Sequence, residues 1–146
     1  MAKKFSFRLE PLLNIKAFHA KQAKEELMAI LYLRTKKESE IEERNNYLSS
    51  LFEHKLIYSK ASEIQAFWYH INYVKEQIAK LENEKEQLVE IENLKREKFN
   101  AAMKEEKILE KLKEKKRQAY FEDINKEEIK QLDEIAQKKF QNFEMQ

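Results

Sequence analysis

Glycine is absent from the whole chain, and proline occurs once, at Pro11. Tight reversals need residues that tolerate positive φ, and glycine is the usual one. A sheet built on hairpins is therefore disfavoured. A site whose backbone must press against a phosphate is disfavoured for the same reason. The dinucleotide fingerprint, the P-loop and the nucleophile elbow all require glycine and are excluded. What remains is helix. Charged residues make up 38% of the chain and hydrophobic ones 42%, a balance that suits long helices sharing a narrow apolar seam. Disorder is the competing reading of so charged a chain. Regularly spaced Leu, Ile and Phe, with 11% aromatic residues, argue against it.

A 3–4 spacing runs through the first half. Its members are Leu9, Leu13, Lys16, Ala20, Ala23, Leu27, Ile30, Arg34, Lys37, Ile41, Arg44, Leu48 and Leu51. This is the a/d lattice of a coiled coil. Lys16, Arg34, Lys37 and Arg44 make the seam imperfect, unless Leu31 and Leu33 draw the packing to an adjacent stripe. A second lattice starts at Ile64 and continues through Phe67, Ile71, Val74, Ile78 and Leu81. After Leu88 the apolar positions fall at Ile91, Leu94, Ala102, Leu109 and Leu112, a shifted phase such as a local change of supercoil produces.

Between the lattices, Ser62 followed by Gln65 reads as a capping box, with Ser59 a second candidate cap. The spacing predicts helix 1 over about 8–57, a turn at about 58–62 and helix 2 over about 63–143. Asn125 with Glu128 could cap a new turn, so helix 2 either runs through or kinks near 122–126. Helices joined this briefly return antiparallel. The fold class expected is all-α, a two-helix coiled-coil hairpin. Each arm of ~50 residues would be ~75 Å long. Pro11 fits a first helical turn. Phe5 and Phe7, alternating with polar residues, form an apolar lead-in.

The chain has no cysteine, hence no disulfide and no thiolate metal site. His19, His54 and His70 lie far apart and form no two-His metal spacing, so no metal or cofactor is expected. Neighbouring carboxylates such as Glu42 and Glu43 read as solvated faces rather than an acid/base pair, and no enzyme is expected. No apolar run approaches the ~18 residues of a membrane span, and no secretory leader is evident. A cytoplasmic location is the default. The stretch "EKLKEKKRQ", residues 110–118, is basic but interleaved with Glu. It reads as a solvated flank, or else as a contact for an acidic protein surface or nucleic acid.

The stretch "IQAFWYHINYVKEQI", residues 64–78, holds more aromatics than one seam can take. Phe67, Ile71, Val74 and Ile78 fill the seam. Trp68, Tyr69, His70 and Tyr73 are left around the rest of the helix. Clustered exposed aromatics point to a protein contact, or to a third helix or second copy that covers them.

Together these segments resemble the FliJ family, a soluble component of the bacterial flagellar type III export apparatus. The opening "FSFRLEPLLNIK" looks like that family's two spaced aromatics, basic residue and Leu-Leu pair. "IQAFWYHINYVKEQI" is similar to its segment at the start of the second helix. "AYFEDINKEEIKQLDEIAQKKF" looks like its C-terminal block, with acidic residues, then "LDEIA" and a final Phe. The resemblance implies a non-enzymatic, rotor-stalk-like hairpin, cytoplasmic and peripheral at the inner face of the cell membrane. Its implied partners are the hexameric export ATPase, the cytoplasmic domain of the export gate and export chaperones, and no nucleic acid. The implied gate-binding residues are Tyr47, Leu51, Trp68, His70, Val74, Gln77 and Leu81. Those implied for the ATPase pore are Phe5, Phe7, Leu9, Leu12, Leu13, Leu132, Ile135 and Phe140. The apolar start and Phe140 are expected to lie together at one end. The rival readings are a generic coiled-coil tether, and a basic rod on nucleic acid or an anionic membrane.

Overall fold

The computed structural model describes residues 4–53 and 60–145. They form two α-helices and, among the described residues, no strand. Helix α1 spans Glu10–Glu53, 44 residues, and α2 spans Ala61–Glu144, 84 residues. The pairing is antiparallel, because partners on α2 climb as those on α1 fall. Lys37 meets Glu84, Arg34 meets Glu92 and Glu26 meets Lys95. Closer to the chain ends, Lys16 meets Glu105 and Glu10 meets Lys113.

The helix starts follow from local chemistry. The Glu10 N–H donates to the Phe7 carbonyl at 3.1 Å, and the first α-type bond runs from Leu13 N–H to the Leu9 carbonyl at 2.9 Å. Pro11 falls in the first turn, where its missing N–H leaves no bond unmade. Helix α2 opens with Ile64 N–H donating to the Lys60 carbonyl at 3.0 Å. The cap position is therefore Lys60, and Ser62 lies inside the first turn rather than closing a capping box. Glu63 supplies negative charge there, which complements the N-terminal end of the helix dipole. The alternative cap Ser59, the last residues expected in helix 1 and the first two of the expected turn lie outside the described residues. Helical structure runs unbroken through 122–126, so Asn125 sits within α2 and caps nothing.

The chain divides into two units, one of residues 21–101 and one of residues 1–20 with 102–146. In the first, Ala23, Leu27 and Ile41 of α1 are buried, as are Phe67, Ile71 and Val74 of α2. In the second, Leu13 and Ala20 are buried. Opposite them on α2, Ala102, Met103, Leu109 and Leu112 are half-buried.

The expected change of phase along α2 does not occur. Phe67, Ile71, Val74, Ile78, Leu81, Lys85, Leu88, Glu92, Lys95, Phe99, Ala102, Glu106, Leu109 and Lys113 are all buried or half-buried. Each step is three or four residues, an unbroken heptad. Ile91 and Leu94, assigned to the seam by their apolarity, lie beside it, and Leu94 is 66% exposed. Ile64 is exposed as well. Backbone geometry keeps the lattice running and places charged side chains on it. The long stems of Lys85 and Lys95 can cover apolar surface while their ammonium groups reach water. On α1 the expected lattice holds from Leu9 to Leu51, except that Arg44 is exposed.

Candidate functional site

Two surfaces, one in each unit, gather the residues with potential for protein contact. In the unit of residues 21–101, Tyr47 and His70 meet across the hairpin. The Tyr47 hydroxyl and His70 Nε2 share a hydrogen bond of 2.7 Å, with the rings edge-on at 5.8 Å. The antiparallel pairing of α1 with α2 brings these two side chains together. Beside them, the Phe52 and Trp68 rings stand edge-on at 6.3 Å, and Trp68 also meets Phe67 at 5.8 Å. Lys75 Nζ lies 5.9 Å from the Phe52 ring centroid, within cation–π range. Tyr69 and Tyr73 are exposed.

The residues expected at the gate contact thus divide by position. Tyr47, Trp68 and His70 are exposed. Leu51, Gln77 and Leu81 are half-buried. Val74 is only 1% exposed and is a seam residue with almost no surface to offer. Gln77 and Leu81 line an open groove with Tyr73, Arg44 and Glu40. The Gln77 Oε1 is buried without a hydrogen-bond partner. Phe52 and Lys75 were not singled out from sequence. Phe52 follows the last lattice leucine, and nothing in its spacing tells that its ring turns toward Trp68.

The second surface belongs to the unit of residues 1–20 and 102–146. The lead-in segment folds back on α2, with Phe5 against Tyr120 at 5.7 Å and Tyr120 against Phe121 at 5.5 Å. Phe5, Phe7 and Leu9 line a groove with Leu112, Lys116 and Tyr120. These three side chains spend part of their surface on α2 and are half-buried. Leu13 is in the seam, while Leu12 is exposed.

Beyond Tyr120, α2 presents Ile129, Leu132, Ile135, Phe140 and Phe143 as exposed apolar side chains, Phe143 at 79%. The expectation that the apolar start lies together with Phe140 does not hold. The start packs at Tyr120, and 20 residues of α-helix place Phe140 ~30 Å further along. The length of α2 is what separates them. Helix 2 was expected to be longer than helix 1, but where the N-terminal segment folds back is a tertiary contact, invisible to spacing.

Electrostatics in both units is carried by pairs at the seam edges. Glu26 accepts from Lys95 at 3.1 Å and Lys98 at 3.2 Å, and these two ammonium groups hold its carboxyl below the usual range. Lys37 donates to Glu84 at 2.8 Å, which lowers the Glu84 carboxyl and raises the Lys37 ammonium. Lys16 likewise lowers Glu105 at 2.9 Å. In the basic stretch, Lys113 is engaged by Glu10 at 2.9 Å and Arg117 by Glu114 at 3.8 Å. Among the described residues, no group of His, Cys, Asp or Glu is arranged to hold a metal ion. Among them too, no helix is long and apolar enough to cross a membrane.

These surfaces belong to a chain with recognisable kin. The family model described as "Flagellar FliJ protein" matches residues 5–144. No curated protein and no solved structure matches the chain. The match takes in both helices and both surfaces, and with it the chain belongs to the FliJ family, a non-enzymatic component of the flagellar protein-export apparatus.

Proposed function

We propose that this chain couples the export ATPase to the export gate, with one partner on each of its two units. The end of α2 and Leu12 enter the central pore of the hexameric ATPase and promote its assembly and activity. The Tyr47–His70 patch, with Trp68, contacts the cytoplasmic domain of the gate. The chain itself carries out no chemistry, sits at the inner face of the membrane through these partners, and hands on export chaperones released there.

The observation that carries this reading is the apolar face of α2 beyond Tyr120. Ile129, Leu132, Phe140 and Phe143 recur at helical spacing and are all exposed. A helix stripe of that kind is made for a groove on a partner. The basic-rod alternative draws less support, since Lys113 and Arg117 are both engaged by carboxylates of this chain.

The test is removal of residues 129–146 from the full chain, with ATPase activity measured on a fixed amount of enzyme. Stimulation is expected to fall to a small fraction while helicity of the remaining residues persists. Undiminished stimulation sinks the assignment of this face to the ATPase.

A further inference from the structure

Among the described residues, the charged side chain that is buried on the heptad of α2 is a glutamate. Glu92 is 5% exposed and occupies a seam position between Leu88 and Phe99. Its two oxygens have separate cations. Oε1 accepts from Arg96 NH2 at 2.8 Å, one turn along the same helix. Oε2 lies 2.8 Å from Arg34 Nε on α1, an ion pair whose N–H is not aimed along the contact. Arg34 is itself a lattice residue, and its NH1 donates to Glu38 at 3.4 Å. The two helices therefore meet here through a charged layer.

An ion pair with one buried partner and one half-buried one is weak evidence of stability, because desolvation offsets the attraction. A polar residue at a seam position has a better-attested use, which is to fix register. The other ion pairs across the hairpin, such as Lys37–Glu84 and Glu26–Lys95, are partly exposed and hold register only weakly. In the apolar part of the seam, Ile71, Val74, Ile78 and Leu81 are interchangeable in a slip of one heptad, since one aliphatic replaces another. The connecting sequence has no glycine to fix where the chain reverses. Slip in one sense brings Arg34 to Phe99 and Glu92 to Ile41. Slip in the other brings Arg34 to Lys85 and Glu92 to Leu27. Both leave Glu92 with Arg96 alone, its Oε2 stripped of the Arg34 cation and set against an aliphatic side chain, and a buried carboxylate oxygen without a partner is costly.

We propose that the Arg34–Glu92 pair sets the register of α1 against α2, excluding the two one-heptad slips that the apolar seam would accept. The pair is a conformational device, and it does not depend on which partners the chain binds.

The chain has no cysteine, so cysteines can be introduced cleanly for spin labels. Asn45→Cys and Glu97→Cys place labels at two exposed positions, well separated along the helix axis. A slip of seven residues then changes their separation by ~10 Å. Electron–electron distance measurement on the otherwise native full chain is expected to give one distance. Adding Arg34→Leu and Glu92→Leu together is expected to keep helicity and to introduce a second distance, ~10 Å away. One unchanged distance in the leucine pair overturns the proposal. Arg34→Met with Glu92→Met repeats the test should the leucine pair lose helicity. Loss of helicity in both also overturns it, because the layer would then hold up the fold rather than choose its register.

Discussion

Glu26, Glu84 and Glu105 share one arrangement: a carboxylate at the seam edge with a lysine from the other helix on it. In each the lysine lowers the carboxyl below its usual range. A carboxyl lowered in the folded state contributes stability above its unfolded value, and that contribution is lost as pH falls through the folded value. Lys37, raised by Glu84, contributes below its unfolded value and loses that contribution as pH rises through the raised one. The melting temperature should therefore be flat across neutral pH. It should decline as pH falls below the ordinary glutamate value of ~4.3, and again above ~10.4. Calorimetry from acid to alkaline pH checks this. A melting temperature that rises on acidification would show that these pairs do not act as described. All the groups are solvent-accessible, so added salt should flatten both limbs.

Along α2, phase outranks hydrophobicity. The stretch Phe67–Leu81 was legible because apolarity and spacing agree there. Past Leu88 they part. Ile91 and Leu94 look like seam residues by type, whereas Glu92 and Lys95 hold the positions the heptad demands. The unbroken three-and-four count was available in the sequence, but reading it required accepting a glutamate inside. Contacts made by folding back, such as Phe5 on Tyr120 and Phe52 on Trp68, leave no periodic trace at all. The phase yields a paired prediction. Ile71 is fully buried, and Ile71→Ala should cost about 2–4 kcal/mol through lost burial and a cavity. Leu94→Glu, on the flank, should stay within about 0.5 kcal/mol of the parent. Denaturant unfolding of both variants measures the contrast. Comparable losses would place Leu94 in the seam after all.

Both described chain ends fall in one unit and the Tyr47–His70 patch in the other. Two partners could then be held by separate residues, and that separability is open to test. Val74 is a poor probe, since its removal empties the seam. His70 and Gln77 are better ones, as neither supplies apolar core. His70→Ala with Gln77→Ala should weaken gate binding by ~1–2 kcal/mol, or about 5- to 30-fold, if these residues lie in a contact centre. Binding to the ATPase, assigned to the end of α2, should change little. Affinities for the two partners are measured in parallel, with circular dichroism to verify that the helices persist. Equal loss of both affinities would mean that the partners share one surface, and the two-unit division of labour would fall. Loss of neither would make the patch a solvated face, and Tyr47 and His70 would then serve only to join α1 to α2 through their shared hydrogen bond.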